Sequence, residues 1–151
     1  MTEKLEIKIK EGLNELKFGI SMDDVKKLLG TPDDTEIIEE DDENTEVWYY
    51  WEDGLTVFFE ESEDKRCVCL ETDNPDAVLL GKKISKIKEK EIEEMFKKEN
   101  FIDFEEENEN WGEKRISVND AVLDIYFEKG DLVSVNWGVD YNEEGEVIWP
   151  K

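Results

Sequence analysis

The side chains that could do chemistry are mostly carboxylates: 43 Asp and Glu against 19 Lys and Arg, two cysteines and no histidine. Paired carboxylates can act as general acid and base, but with acids this abundant their spacing discriminates nothing. Without histidine, the usual general base near neutral pH and the usual transition-metal ligand are missing. The sequence has no Gly-rich phosphate loop and no Gly-x-Ser-x-Gly elbow. Cys67 and Cys69 fall at i and i+2, which on a strand predicts two thiols on one side, and a bridge between them would close a strained ring. A Cys-x-Cys pair with no further Cys or His is a poor metal site. Two reduced, packed thiols are the expectation, and they fit a reducing compartment. Asp140, Asn142, Glu144 and Gly145 follow the opening of an EF-hand loop, but its twelfth position is Lys151 where Glu is needed, so a hairpin turn explains them. These patterns predict no enzyme, no cofactor and no bound metal.

The charge and the aromatics point to a partner instead. A net charge of −24 repels nucleic-acid phosphates and anionic lipid and attracts a basic protein surface. Solubility, or a salt-rich or acid habitat, explains the same charge. Residues 33–46 contain nine acids and no Lys or Arg. The tips Asp41, Asp42 and Glu43, with Glu106 in a later acidic run, are candidates for steering an encounter. Solvated loops are the alternative.

Residues 46–60 must position the aromatics. Asp53-Gly54, flanked by aromatic and β-branched residues, is a strong two-residue hairpin signal. With that loop, Tyr50 faces Val57 and Trp48 faces Phe59. Alternation then puts Trp48, Tyr50, Leu55, Val57 and Phe59 on one face, and Val47, Tyr49, Trp51, Thr56 and Phe58 on the other. A third strand over residues 65–71 is expected to set Val68 opposite Val57 and Leu70 opposite Leu55. Cys67 then faces Phe58, and Cys69 faces Thr56. The first face, with Val68 and Leu70, is the core candidate. The second carries Tyr49, Trp51 and Phe58, with Tyr126 from the second half, as a candidate partner-binding platform. Cover by the chain's own termini or by a second copy is the alternative.

Elsewhere, Leu5, Ile7 and Ile9 alternate with charged residues as in a short strand, and residues 11–17 read as a turn of helix. A helix of about nine residues is expected from Ser21 as N-cap to Gly30, with Pro32 beyond it. A second helix is expected over residues 89–98, followed by strands over 111–118, 121–128 and 132–139 and a terminal hairpin around 142–145. No stretch is long and apolar enough to span a membrane, and residues 1–8 lack the apolar region of a signal peptide. A cytoplasmic location is the expectation.

The run 18–33, Phe-Gly-Ile-Ser-Met-Asp-Asp-Val-Lys-Lys-Leu-Leu-Gly-Thr-Pro-Asp, resembles the opening of SmpA/OmlA-type domains, in which Gly-x-Ser/Thr starts a short helix that ends in Leu-Gly-x-Pro. Val47-Trp-Tyr-Tyr50 is similar to the aromatic strand of that family. The resemblance covers residues 13–72; over 75–140 only the order of elements recurs. Two such units resemble the β-lactamase-inhibitor-protein-like architecture and imply a non-enzymatic, protein-binding role for an open sheet face. The resulting expectation is an α+β fold of two tandem repeats, residues 1–72 and 73–151. Each repeat has a helix and four antiparallel strands, and together they form one continuous sheet with helices on one face. The expected function is an acidic protein-binding module of inhibitor or immunity type, monomeric or dimeric, that binds neither nucleic acid nor membrane. A structural homodimer and an acidic mimic of nucleic-acid charge are the alternatives.

Overall fold

The computed structural model describes residues 5–40, 43–109 and 112–150. The chain begins with three short strands, β1 (Glu6–Lys8), β2 (Gly12–Leu13) and β3 (Leu16–Lys17). Helix α1 (Met22–Leu29) follows, with the Ser21 hydroxyl accepting from the Asp24 amide at 3.2 Å and Gly30 closing it at φ 87°. Strands β4 (Asp34–Glu40), β5 (Glu43–Tyr50), β6 (Leu55–Glu60) and β7 (Arg66–Thr72) form an antiparallel meander. Two short strands, β8 (Val78–Leu79) and β9 (Lys82–Lys83), lead to 3₁₀ turns and the six-residue helix α2 (Ile92–Lys97). A second meander follows: β10 (Phe104–Asn108), β11 (Glu113–Val118), β12 (Leu123–Glu128) and β13 (Asp131–Gly138). A hairpin of β14 (Asp140–Tyr141) and β15 (Val147–Ile148) ends it.

Pairing of β13 with β7 joins the meanders into one antiparallel sheet, in the order β10-β11-β12-β13-β7-β6-β5-β4. The short strands form a separate five-stranded sheet, β3-β2-β1-β8-β9, in which β1 and β8 run parallel. One core lies between them. The inner face of the large sheet supplies Trp48, Phe59, Leu70, Ile125 and Trp137, α1 supplies Val25, and α2 supplies Ile92 and Phe96. The Trp137 indole donates to the carbonyl of Gly12 at 2.9 Å, which ties the two sheets together.

These observations correct the expected α+β fold of tandem helix-plus-four-strand repeats. Among the described residues the fold is mainly β, with 49% in strands and 18% in α or 3₁₀ helix, and the two α-helices are short beside large antiparallel sheets. Residues 11–17, expected as helix, turn at Asn14 (φ 52°) and pair β2 with β3. They do so because β2 also pairs with β1, and the parallel β1–β8 contact extends the sheet. A single turn of helix cannot repay its nucleation cost against those ladders. The expected helix over 89–98 begins as a 3₁₀ turn and is helical for six residues only.

The hairpin register is also corrected. Tyr50 pairs with Leu55 and Trp48 with Val57, so the loop is residues 51–54 rather than Asp53-Gly54 alone. Asp33 accepts from the Trp51 amide at 2.8 Å, Asn74 donates to the Asp53 carbonyl at 2.9 Å, and Thr72 donates to the Gly54 carbonyl at 2.8 Å. These distant side chains hold the wider loop. The shift is two residues, so each side chain that stays on a strand keeps its expected face, while Trp51 passes into the loop.

On the next strand Leu70 pairs with Val57 and Thr72 with Leu55. A bulge lies between Phe58, opposite Cys69, and Phe59, opposite Cys67. The extra residue, Val68, reverses the alternation. Cys67 is consequently buried beside Phe59, and Cys69 lies on the opposite face beside Phe58, rather than both thiols on one side.

Candidate binding face of the sheet

The helices and the small sheet contact the inner face of the large sheet. Lys26 of α1 lies 5.5 Å from the Trp48 ring, the Gly30 carbonyl accepts from Tyr50 at 2.9 Å, and Gly12 meets Trp137. Alternation places the remaining side chains on the outer face. Across β5, β6 and β7 these are Val47, Tyr49, Thr56, Phe58, Cys69 and Glu71. Across β13, β12 and β11 they are Asn136, Ser134, Asp124, Tyr126, Arg115 and Ser117. The apolar part therefore centres on the first hairpin, with Ile38 of β4 on the same face, and apart from Tyr126 these positions of the second half are polar.

The expected residues fall into four groups. Tyr49, Phe58 and Tyr126 lie on the outer face and are half-buried. Trp51 lies in the loop at the end of the sheet, not on a strand, and is 66% exposed. It still borders the face: Tyr49, Trp51, Thr56, Glu71 and Asp73 line one depression of about 240 Å³. Glu43 shares the outer face with Tyr49 by alternation along β5. Glu106 pairs with Ile116, whose side chain is in the core, so it sits on the inner side and is not brought to the aromatic cluster. Its nearest cation is Lys114 at 3.9 Å. Asp41 and Asp42 lie outside the described residues.

The electrostatics of the face are acidic and internally bonded. The Tyr49 hydroxyl donates to Glu36 at 2.6 Å, and this bond pushes the phenol up to about 12. Burial and the neighbouring Asp124 carboxylate raise Tyr126. Cys69 donates to Asn136 at 3.2 Å; burial holds its thiol near 12, so it is not a thiolate nucleophile. Asn136 donates in turn to Glu71 at 3.1 Å. Ser117 donates to Asp124, and Arg115 pairs with Glu107. At the far end, Glu43 accepts from Ser62 and lies beside Glu60. Hydrogen bonds from Glu60 and Ser62 hold Glu43 below the usual carboxylate range, while burial and the Glu43 charge push Glu60 up. One proton between two carboxylates satisfies both shifts.

The polar half of this face went unnoticed in the sequence, although its signal is present there. Arg115 and Ser117 bracket Ile116, Asp124 and Tyr126 bracket Ile125, and Ser134 and Asn136 bracket Val135. That is period-two alternation with the polar side chains facing out.

Among the described residues, no cluster of three or more His, Cys, Asp or Glu could hold a metal ion. At the expected hairpin turn, the Asn142 carboxamide oxygen accepts from the amides of Glu144 and Glu146, each at 2.9 Å. It is used by the turn. No helix of the described residues is long and apolar enough to cross a membrane.

No family model and no curated protein matches this sequence. Among solved structures, an extracellular protein containing an SCP domain from Bacillus anthracis strain Ames is similar. The TM-score is 0.50 at 14% identity, covering 96% of this chain and 55% of that one. The chain thus spans about half the length of that protein, and the likeness concerns the fold alone.

Proposed function

We propose that this chain is a non-enzymatic, acidic protein-binding module that takes a basic protein surface on the outer face of its large sheet. The observation that carries this reading is the half-buried patch of Tyr49, Thr56 and Phe58, edged by the exposed Trp51 and by Glu36 and Glu71. Aromatic anchors inside a charged rim are the usual anatomy of a protein interface. The surrounding acids would raise the encounter rate with a cationic partner and disfavour nucleic acid and anionic lipid. The SmpA/OmlA-like run at residues 18–33 supports a binding role, and thiols held on opposite faces of β7 support a reducing, cytoplasmic setting.

The test uses the chain as bait, wild type against Trp51→Ser combined with Phe58→Ser, with folding checked by circular dichroism. A cationic protein held by the wild type, released by added salt and not held by the variant supports the reading. Equal capture by both refutes it. So does a dimer in light scattering whose Trp51 is shielded from iodide, because the face is then a self-interface.

A further inference from the structure

A second surface lies on the inner side of the molecule, around the 51–54 loop from the aromatic patch. There the end of α1, the small sheet and the loop leave a cleft of about 640 Å³. Leu5, Leu13, Leu16, Leu28, Leu29 and Leu55 line it. Its remaining lining is Asn14, Glu15, Glu52, Asp53, Asn74 and Asp76, with no Lys or Arg. Leu28 is the anomaly that draws attention to it. It is 47% exposed on a helix whose other outward positions are charged. Large apolar side chains left at the mouth of a leucine-lined cleft are a feature of surfaces awaiting a partner.

The rim chemistry selects the occupant. Glu15, Glu52 and Asp53 make no ion pair among the described residues, and Asp76 has only the exposed Lys83 at 3.4 Å. Three uncompensated carboxylates around an apolar floor repel an acidic segment and complement lysines or arginines that flank leucine-like side chains. We infer that this cleft docks a basic amphipathic helix of another protein, its apolar stripe on Leu5, Leu28 and Leu29, the lining leucines with accessible surface, and its cations on Glu15, Glu52 and Asp53. This is the helix-in-groove mode of recognition.

The probe is a synthetic 14-residue helix of leucine and lysine with leucines on one face, read by fluorescence anisotropy. Two variants touch the cleft: Leu28→Lys, which keeps a good helix former, and Glu52→Lys in the exposed loop. Glu144→Lys, in the C-terminal turn, changes net charge elsewhere by the same amount as Glu52→Lys. Leu28→Lys and Glu52→Lys are each expected to weaken binding about tenfold, and Glu144→Lys less than about twofold. A peptide with serine in place of leucine is expected not to bind. Equal losses for Glu52→Lys and Glu144→Lys would overturn the inference, because attraction would then be the field of the whole molecule. Unchanged binding to Leu28→Lys would overturn it too. So would a dimer that Leu28→Lys dissolves, which would make a second copy the occupant.

Discussion

Replacing Trp137 with phenylalanine tests the contact that decides how the two sheets meet. Trp137 is fully buried, and its indole is bonded to the Gly12 carbonyl across 125 residues of sequence. Gly12 is itself confined: its φ is +141°, and an added Cβ would lie 1.9 Å from the Leu16 carbonyl oxygen. The strand therefore has little freedom to follow a smaller ring. Loss of roughly 50 Å² of buried apolar surface costs about 1 kcal/mol, and the void left behind adds to it. Losing the indole's bond to the Gly12 carbonyl costs a further ~0.5–1.5 kcal/mol. The expected loss is about 2–4 kcal/mol. In urea, with a slope of about 1–3 kcal/mol per molar, the midpoint falls by roughly 1–2 M. Far-UV circular dichroism reads the transition. The reference is Trp51→Phe, at a largely exposed loop position with little packing to lose, which is expected within ~0.5 kcal/mol of wild type. If Trp137→Phe lowers the midpoint no more than Trp51→Phe does, the indole is not the tie between the sheets, and the packing argument fails.

Two further outcomes depend on pH. The bond to Glu36 raises Tyr49 to about 12 in the folded chain, so its contribution to stability is complete below pH ~10 and is lost as pH rises from about 10 to 12. The stability difference between wild type and Tyr49→Phe should shrink across that window in urea titrations, and a constant difference would refute the assignment. Glu60 is raised mainly by burial, so its charged form is disfavoured in the fold and its stabilising contribution is lost as pH rises through its folded value. Glu60→Gln, which can still accept from Thr45, should melt higher than wild type at pH 7 and lose that advantage toward pH 4; a lower melting temperature at pH 7 would contradict the carboxyl-pair reading.

Local signals located much of the β framework. The aromatic alternation of residues 46–60 assigns Trp48, Tyr50, Leu55, Val57 and Phe59 to the core, and all five are buried. Ser21, Gly30 and Pro32 bound α1 because capping chemistry is local. The outer-face positions of Tyr49, Phe58 and Tyr126 follow from the same period of two, which a two-residue register shift cannot change. Trp51 escaped that logic because Asp33, Thr72 and Asn74 hold the loop open by two residues, and none of them is near it in sequence.

What the sequence determined by itself was therefore periodicity, capping and charge: which segments alternate, where α1 starts and stops, and that the surface is strongly acidic. The tertiary structure decided the rest, because each remaining feature depends on pairing between distant residues. The small sheet exists because β1 meets β8, about seventy residues away in the chain. The large sheet is continuous because β13 meets β7. Cys67 and Cys69 part company because Val68 bulges against β6. The leucine cleft forms only where α1, the small sheet and the 51–54 loop converge, and a pattern read along one segment carries no information about that convergence.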